Sequence, residues 1–140
     1  MTLLVLDTDT LTLLQEGNPN AISHFMRCEK NNLVTTVISV EERLAGWYSI
    51  LHRSNKPEIV ARNYEHLAEQ IEYLSTWRIL RFPVNAIARY QQLVALRLNI
   101  GKSDLKIAAI VLENNGILVT RNRRDFERVP NLQLVDWMQP

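Results

Sequence analysis

LLVLDTDT, Leu3 to Thr10, is the stretch on which the reading of the fold turns. Its apolar run, Leu3 to Leu6, stops abruptly at Asp7, the pattern of a short strand buried on both faces, as strands are in a parallel sheet. Asp7 then stands at the strand's carboxyl end, where loops and helix N-termini converge and where open parallel sheets bind their ligands.

Outward from this strand, strand-like and helix-like segments alternate. Thr8 to Gln15 suits a helix, and Gly17, Asn18, Pro19 and Asn20 punctuate the chain before a second helix that turns Ile22, Phe25 and Met26 inward. Leu33 to Ile38 are mostly β-branched and read as the second strand. Ser39 follows directly and precedes Glu42 by three residues, the spacing of a capping box, so a third helix is predicted from there toward His52. Pro57 opens a fourth, with Val60, Tyr64, Leu67, Ile71 and Leu74 forming one apolar stripe, read as core or as a dimer surface. A short strand over Ile79 to Phe82 precedes a helix that begins after Pro83 and carries Ile87, Tyr90, Val94 and Leu98 on one face. Gly101 ends that helix and Ser103 can cap the next, Asp104 to Asn115, which is apolar nearly all round at its centre and so must be buried. Strands at Ile117 to Thr120 and Leu132 to Val135 complete an α/β layered fold around a mostly parallel sheet.

The 140 residues suffice for one core, and a single domain over residues 1–140 is expected. With 46% hydrophobic and 22% charged residues the chain lies far from the composition of disordered proteins. A net charge of +1 is neutral on a nucleic-acid partner, but arginines cluster late, at Arg121, Arg123, Arg124 and Arg128. The lone Cys28 cannot form an internal disulfide, and no apolar run approaches the ~20 residues that cross a bilayer. A cytoplasmic protein with no membrane association is expected. His24, His52 and His66 lack the spacing of a zinc site, and no Gly-x-Ser-x-Gly elbow is present.

Four acids fall where such a sheet gathers its loops: Asp7 after the first strand, Glu42 in the turn after the second, Asp104 at a helix start, and Asp125 after the strand ending at Thr120. Converging carboxylates repel one another unless a cation neutralises them, and hard oxygen donors select Mg²⁺, with Mn²⁺ as a substitute. Such a centre activates water against a phosphodiester. Each acid also has a plainer explanation: Asp7 as a helix cap, Glu42 as the capping-box partner of Ser39, Asp104 as a charge at a helix N-terminus, and Asp125 as a turn residue.

The segments VLDTDTLTLL (Val5 to Leu14), TVISVEERLAGW (Thr36 to Trp47), IGKSDLKIAA (Ile100 to Ala109) and ILVTRNRRDFERVPNLQLVDW (Ile117 to Trp137) resemble, in order and spacing, the signature segments of the PIN-domain family, and of its VapC-like toxins in particular. The resemblance implies a Rossmann-like three-layer α/β/α sandwich and Mg²⁺-dependent endonucleolytic cleavage of RNA, with Asp7, Glu42 and Asp104 as catalytic, metal-binding acids. Asn122 occupies a position that is acidic in many relatives, which puts a second metal in doubt, and Asp125 could partly compensate. Thr8 and Thr120 match polar positions near that site. The family further implies a cognate antitoxin protein, whose tail enters the acidic cleft, and a homodimer.

Arg43, Arg97, Arg121, Arg123 and Arg124 are candidate RNA phosphate contacts by placement. Trp47, Trp77 and Trp137 are either core residues or base-stacking platforms. Two other functions compete. VLDTDT also looks like the opening of haloacid-dehalogenase-like phosphatases, with Asp7 as nucleophile and Asp9 as acid or base, although no paired late aspartates follow. A catalytically inactive PIN-like RNA- or protein-binding module is the second, favoured by Asn122 alone.

Overall fold

The computed structural model describes residues 2–140. In chain order these form β1 (Leu4–Leu6), α1 (Thr8–Gln15), α2 (Pro19–Arg27), a 3-10 turn (Lys30–Asn32), β2 (Leu33–Thr36), α3 (Val37–Tyr48) and α4 (Pro57–Ser75). There follow β3 (Arg78–Leu80), α5 (Val84–Ala95), α6 (Lys102–Glu113), β4 (Ile117–Val119), the one-turn α7 (Arg123–Phe126) and β5 (Gln133–Val135). The described strands make one five-stranded sheet in the order β3-β2-β1-β4-β5, parallel at every pairing.

Successive residues of a strand point to opposite faces, so each central strand supplies two cores. Val5, Val34 and Leu118 join one with Leu93 of α5 and Ile107, Ile110 and Val111 of α6. Leu6, Leu33 and Val119 join the other with Leu11 and Leu14 of α1, Ala21 of α2 and Leu74 of α4. Helices thus cover both faces of the sheet: the layered α/β fold anticipated from the alternation of segments takes the three-layer α/β/α form that the family resemblance implied. Near the C-terminus, Trp137 is 2% exposed and stacks on His24 at 5.9 Å, and Asn20 Nδ2 donates to the Met138 carbonyl at 2.9 Å.

The strand order reverses at β1, whose neighbours are β2 on one side and β4 on the other. Loops leaving adjacent strands on opposite sides of such a point open a crevice at their carboxyl ends. Gly116 admits the close approach of β4 to β1: a Cβ there would lie 3.2 Å from both the Leu3 carbonyl oxygen and Val5 Cγ2.

Several boundaries differ from the sequence expectation, each for a local reason. β2 stops at Thr36 instead of Ile38, because the Thr36 hydroxyl accepts from the Ser39 amide at 3.1 Å and starts α3 at Val37. Ser39 is therefore inside the helix, and no capping box with Glu42 exists. α3 ends at Tyr48, short of His52, and α6 is entered through Gly101, not Ser103, which places Asp104 in its first turn. Along α4 the expected stripe buries Leu74, while Tyr64 and Ile71 are about half exposed. Of the face expected on α5, Tyr90 and the following Leu98 pack against the core, whereas Ile87 and Val94 are exposed and Ala86 and Leu93 are buried in their place. Among the described residues no helix is long and apolar enough to cross a membrane.

Candidate active site

Asp7 leaves the central strand β1 directly into α1 and is 6% exposed. Its Oδ1 accepts from the Thr10 amide at 2.9 Å, so the helix-cap role considered from sequence is real. Burial raises its pKa above the ordinary aspartate value, opposed by hydrogen bonds from the Thr120 hydroxyl and the Thr10 amide. A carboxylate held in this way loses solvation without losing its place.

Glu42 comes from α3, one turn beyond Ser39. The Thr8 hydroxyl donates to Glu42 Oε1 at 2.6 Å. A carboxylate only accepts, so Thr8's single proton is committed there, and Ser39 Oγ, 3.1 Å from Thr8 Oγ1, acts as donor to Thr8. Thr36 Oγ1 in turn lies 3.3 Å from Ser39 Oγ. A line of hydroxyls from the end of β2 thus aims Glu42. Thr8 was singled out from the sequence as a site residue, but Ser39 and Thr36 were not: the spacing of Ser39 from Glu42 pointed to a helix cap, Thr36 read as part of a strand, and only the crossing to α1 reveals the link.

Asp104 projects from the first turn of α6 and is half-buried. Its pKa is pushed up to about 6, chiefly by burial and then by the negative charges of Glu42, Asp7 and Asp125. A favourable position at a helix N-terminus does not outweigh those neighbours. Asn122 follows β4; its amide nitrogen Nδ2 donates to Asp125 Oδ2 at 3.1 Å, and its backbone N–H donates to Thr120 Oγ1 at 3.0 Å. Because Asp125 can only accept, the carboxamide must turn its nitrogen there, leaving the oxygen for other partners.

Asp7, Thr8, Glu42, Asp104 and Asn122 line one cleft of about 620 Å³, together with Asp9, Thr12, Arg121 and Phe126. Four carboxylates face one guanidinium, and that one is engaged: Arg121 Nε lies 2.5 Å from Asp9 Oδ2. Asp9, assigned a catalytic proton in the phosphatase alternative, is thereby ion-paired at a half-exposed rim. Among the described residues, however, no three His, Cys, Asp or Glu side chains form a ready-made cage for a metal ion. The acids share a cleft without converging on one point, which is looser than the sequence implied.

Asp125 does not line the cleft. It lies behind Asn122, with Arg128 3.7 Å away, so it supports a wall residue. Among the arginines only Arg121 lines the cleft. Arg43 turns away to donate to Thr12 at 3.0 Å and to Gln15 and Gln70, because neighbouring residues of a helix point about 100° apart and Glu42 already faces the cleft. Arg97 sits at φ 54 in the turn after α5, Arg123 faces Glu127 at 3.6 Å, and Arg124 is exposed outside the cleft. Trp77 meets Phe25 and Tyr73, and Trp137 is core, so neither is a platform at this site. A separate hollow of about 710 Å³ is lined by residues such as Leu14, Phe25, Tyr73 and Trp77 and holds no carboxylate. The acidic cleft, although smaller, is the one equipped for chemistry.

Comparison with known proteins adds to this geometry. Ribonuclease VapC1 of Haemophilus influenzae strain R2866 is 27% identical over 140 residues, covering 95% of this chain and 96% of that protein. The structure of VapBC-1 from nontypeable Haemophilus influenzae superposes with a TM-score of 0.80 at 26% identity, covering 99% of this chain and 100% of that one. VapBC2 from Rickettsia felis, solved bound to a DNA fragment from its promoter, gives a TM-score of 0.74 at 25% identity, over 97% of this chain and 99% of that one. The PIN domain pattern matches residues 4–132, and so takes in β1, α3, α6 and β4 with every acid that lines the cleft. With that coverage, and with the fold's switch point carrying the acids, the chain belongs to the PIN domain family.

Proposed function

We propose that this protein is a divalent-cation-dependent endoribonuclease, hydrolysing RNA phosphodiester bonds with Mg²⁺ or Mn²⁺, and the toxin of a toxin–antitoxin pair. The observation that carries the reading is the meeting of Asp7, Glu42 and Asp104, from three distant segments, along one cleft at the sheet's switch point. The similarity to a ribonuclease VapC1 over nearly the whole chain supports RNA as substrate, and the similarity to VapBC complexes supports a protein antitoxin as partner.

The donor set fits such a cation. All the ligating atoms on offer are hard oxygens, and the repulsion that adds to burial in lifting Asp104 would be relieved by a positive charge between the acids. Magnesium keeps several waters and takes only one or two carboxylates alongside substrate phosphates, so a cleft without a closed protein cage suits it. Asp7, Glu42 and Asp104 would hold the ion, directly or through its waters, with the Asn122 carboxamide oxygen a hydrogen-bond acceptor for such a water. When bound, the ion lowers the pKa of a coordinated water and neutralises charge on a phosphate oxygen. The chain's own residues do the rest. Thr8 fixes Glu42, the Thr10 amide fixes Asp7, Asp125 fixes Asn122, and Arg121 at the rim offers a guanidinium to the incoming backbone. Without a cation the four carboxylates would repel a phosphodiester.

Glu42→Gln tests the reading, since Gln keeps an oxygen to accept from Thr8 and loses only the charge. RNA cleavage by the wild type should require Mg²⁺ or Mn²⁺ and vanish in the variant, with thermal stability near normal. A wild type that binds RNA but cuts none in either cation would identify an inactive binding module instead.

A further inference from the structure

A second hollow, of about 320 Å³, lies beside the acidic cleft and is lined by Glu42, Arg43, Gly46, Trp47 and Ile50. Glu42 belongs to the walls of both, so the two hollows adjoin at that side chain. The hollow runs along α3, from the carboxylate toward the helix's C-terminal end.

Three features of its lining point to a planar ligand. A Cβ built on Gly46 would meet nothing within 4 Å, and its φ is not positive, so neither packing nor backbone geometry inside this chain calls for glycine. Glycine within a helix costs about 1 kcal/mol relative to alanine, and the space it leaves here is open. Trp47 is half-buried and braced by His66 in a T-shaped contact, with centroids 5.2 Å apart and planes at 67°. Trp77 and Trp137, by contrast, are committed to aromatic packing elsewhere. Arg43 uses three of its N–H groups on Thr12, Gln15 and Gln70. A guanidinium has five, so two are left over.

We infer that this hollow is a nucleobase subsite: it takes an unpaired base of the RNA next to the phosphodiester held at the acidic cleft, stacked on Trp47 above Gly46. The inference rests on the ribonuclease reading of the neighbouring cleft. A nucleotide joins a phosphate to a flat base through one sugar, which matches an acidic and an aromatic hollow that adjoin at Glu42. Stacking accepts any base, since every base has a π face. The spare N–H groups of Arg43 favour bases that present a carbonyl oxygen, which uracil, cytosine and guanine have and adenine lacks.

The test uses the full-length Glu42→Gln protein in Mg²⁺, which leaves RNA uncut, titrated with a short fluorescein-labelled single-stranded RNA. Versions of that RNA in which each base in turn is abasic form the second arm. Adding Trp47→Ala should weaken binding of the intact RNA about tenfold, the size of one base–aromatic stack. It should also silence the one abasic position that weakens binding to the parent protein. Gly46→Leu, whose Cβ enters open space, should reproduce the loss with Trp47 still present and a melting temperature no lower than the parent's. Binding as tight as the parent's in both variants overturns the subsite. If the wild type nonetheless cleaves RNA, the nuclease reading survives that failure; if it cleaves none with any divalent cation, both fall.

Discussion

Asp104→Asn should make the protein more stable at neutral pH while removing a cation ligand. The native state raises this carboxyl from 3.8 to about 6, so its charged form is disfavoured by folding. A rise of that size corresponds to roughly 3 kcal/mol in full. Asp104 is only half-buried, and solvent screening reduces this to about half. Asparagine also forfeits about 0.5 kcal/mol of favourable interaction with the N-terminus of α6. A net gain of about 1 kcal/mol remains, or about 3 °C in melting temperature for a chain of this length. The sign follows from linkage: a group whose pKa is raised on folding contributes fully below its unfolded value and loses that contribution as pH climbs through the folded one. Wild type should therefore match the variant below pH 3.8, fall behind it progressively as pH climbs from there to about 6, and trail by a constant margin above. Thermal melts by circular dichroism across that range read the gap directly, and Mg²⁺ at neutral pH should narrow it by giving the wild type its counter-charge. A variant that melts no higher than wild type at neutral pH, or a gap indifferent to pH, would refute the electrostatic account of the cleft.

Further outcomes follow from packing and charge. Gly116→Ala should cost about 1–3 kcal/mol, since its methyl presses on the Leu3 carbonyl, just before β1, that already accepts from the Ile117 amide; denaturant titration should show a lower midpoint at unchanged slope. Arg121→Ala should flatten the salt dependence of RNA binding by about one unit of slope, whereas Arg123→Ala and Arg124→Ala should leave it unaltered. Equal effects from all three would mean that RNA does not pass along the acidic cleft.

The sequence spoke clearly where one residue type has one physical meaning. An apolar run ending in an acid marks the end of a buried strand, and Asp7 is there; an apolar segment with no polar face must be inside, and α6 is. It was ambiguous where local preference and a specific hydrogen bond compete. Val34 to Ile38 has the β-branching of a continuous strand, yet one hydroxyl on the Ser39 amide turns the chain into a helix at Val37. Side-chain aim was also hidden. Arg43 adjoins Glu42 in the chain but does not line the acidic cleft with it, and Asp125, three residues from Asn122, reaches the cleft only through it. The looseness of the acidic trio was not legible at all, because spacing along a chain carries no ångström-scale information about convergence.

The order of the strands bears on how the molecule is born. β1, made first, gains its second neighbour only when β4 is made, and Asp104 itself lies beyond two thirds of the chain. A polypeptide still growing on the ribosome carries Asp7 and Glu42 without their third companion or the wall that Asn122 supplies. The enzyme proposed here would thus be harmless to the machinery translating it until its final third has emerged, a latency that comes from topology and needs no inhibitor.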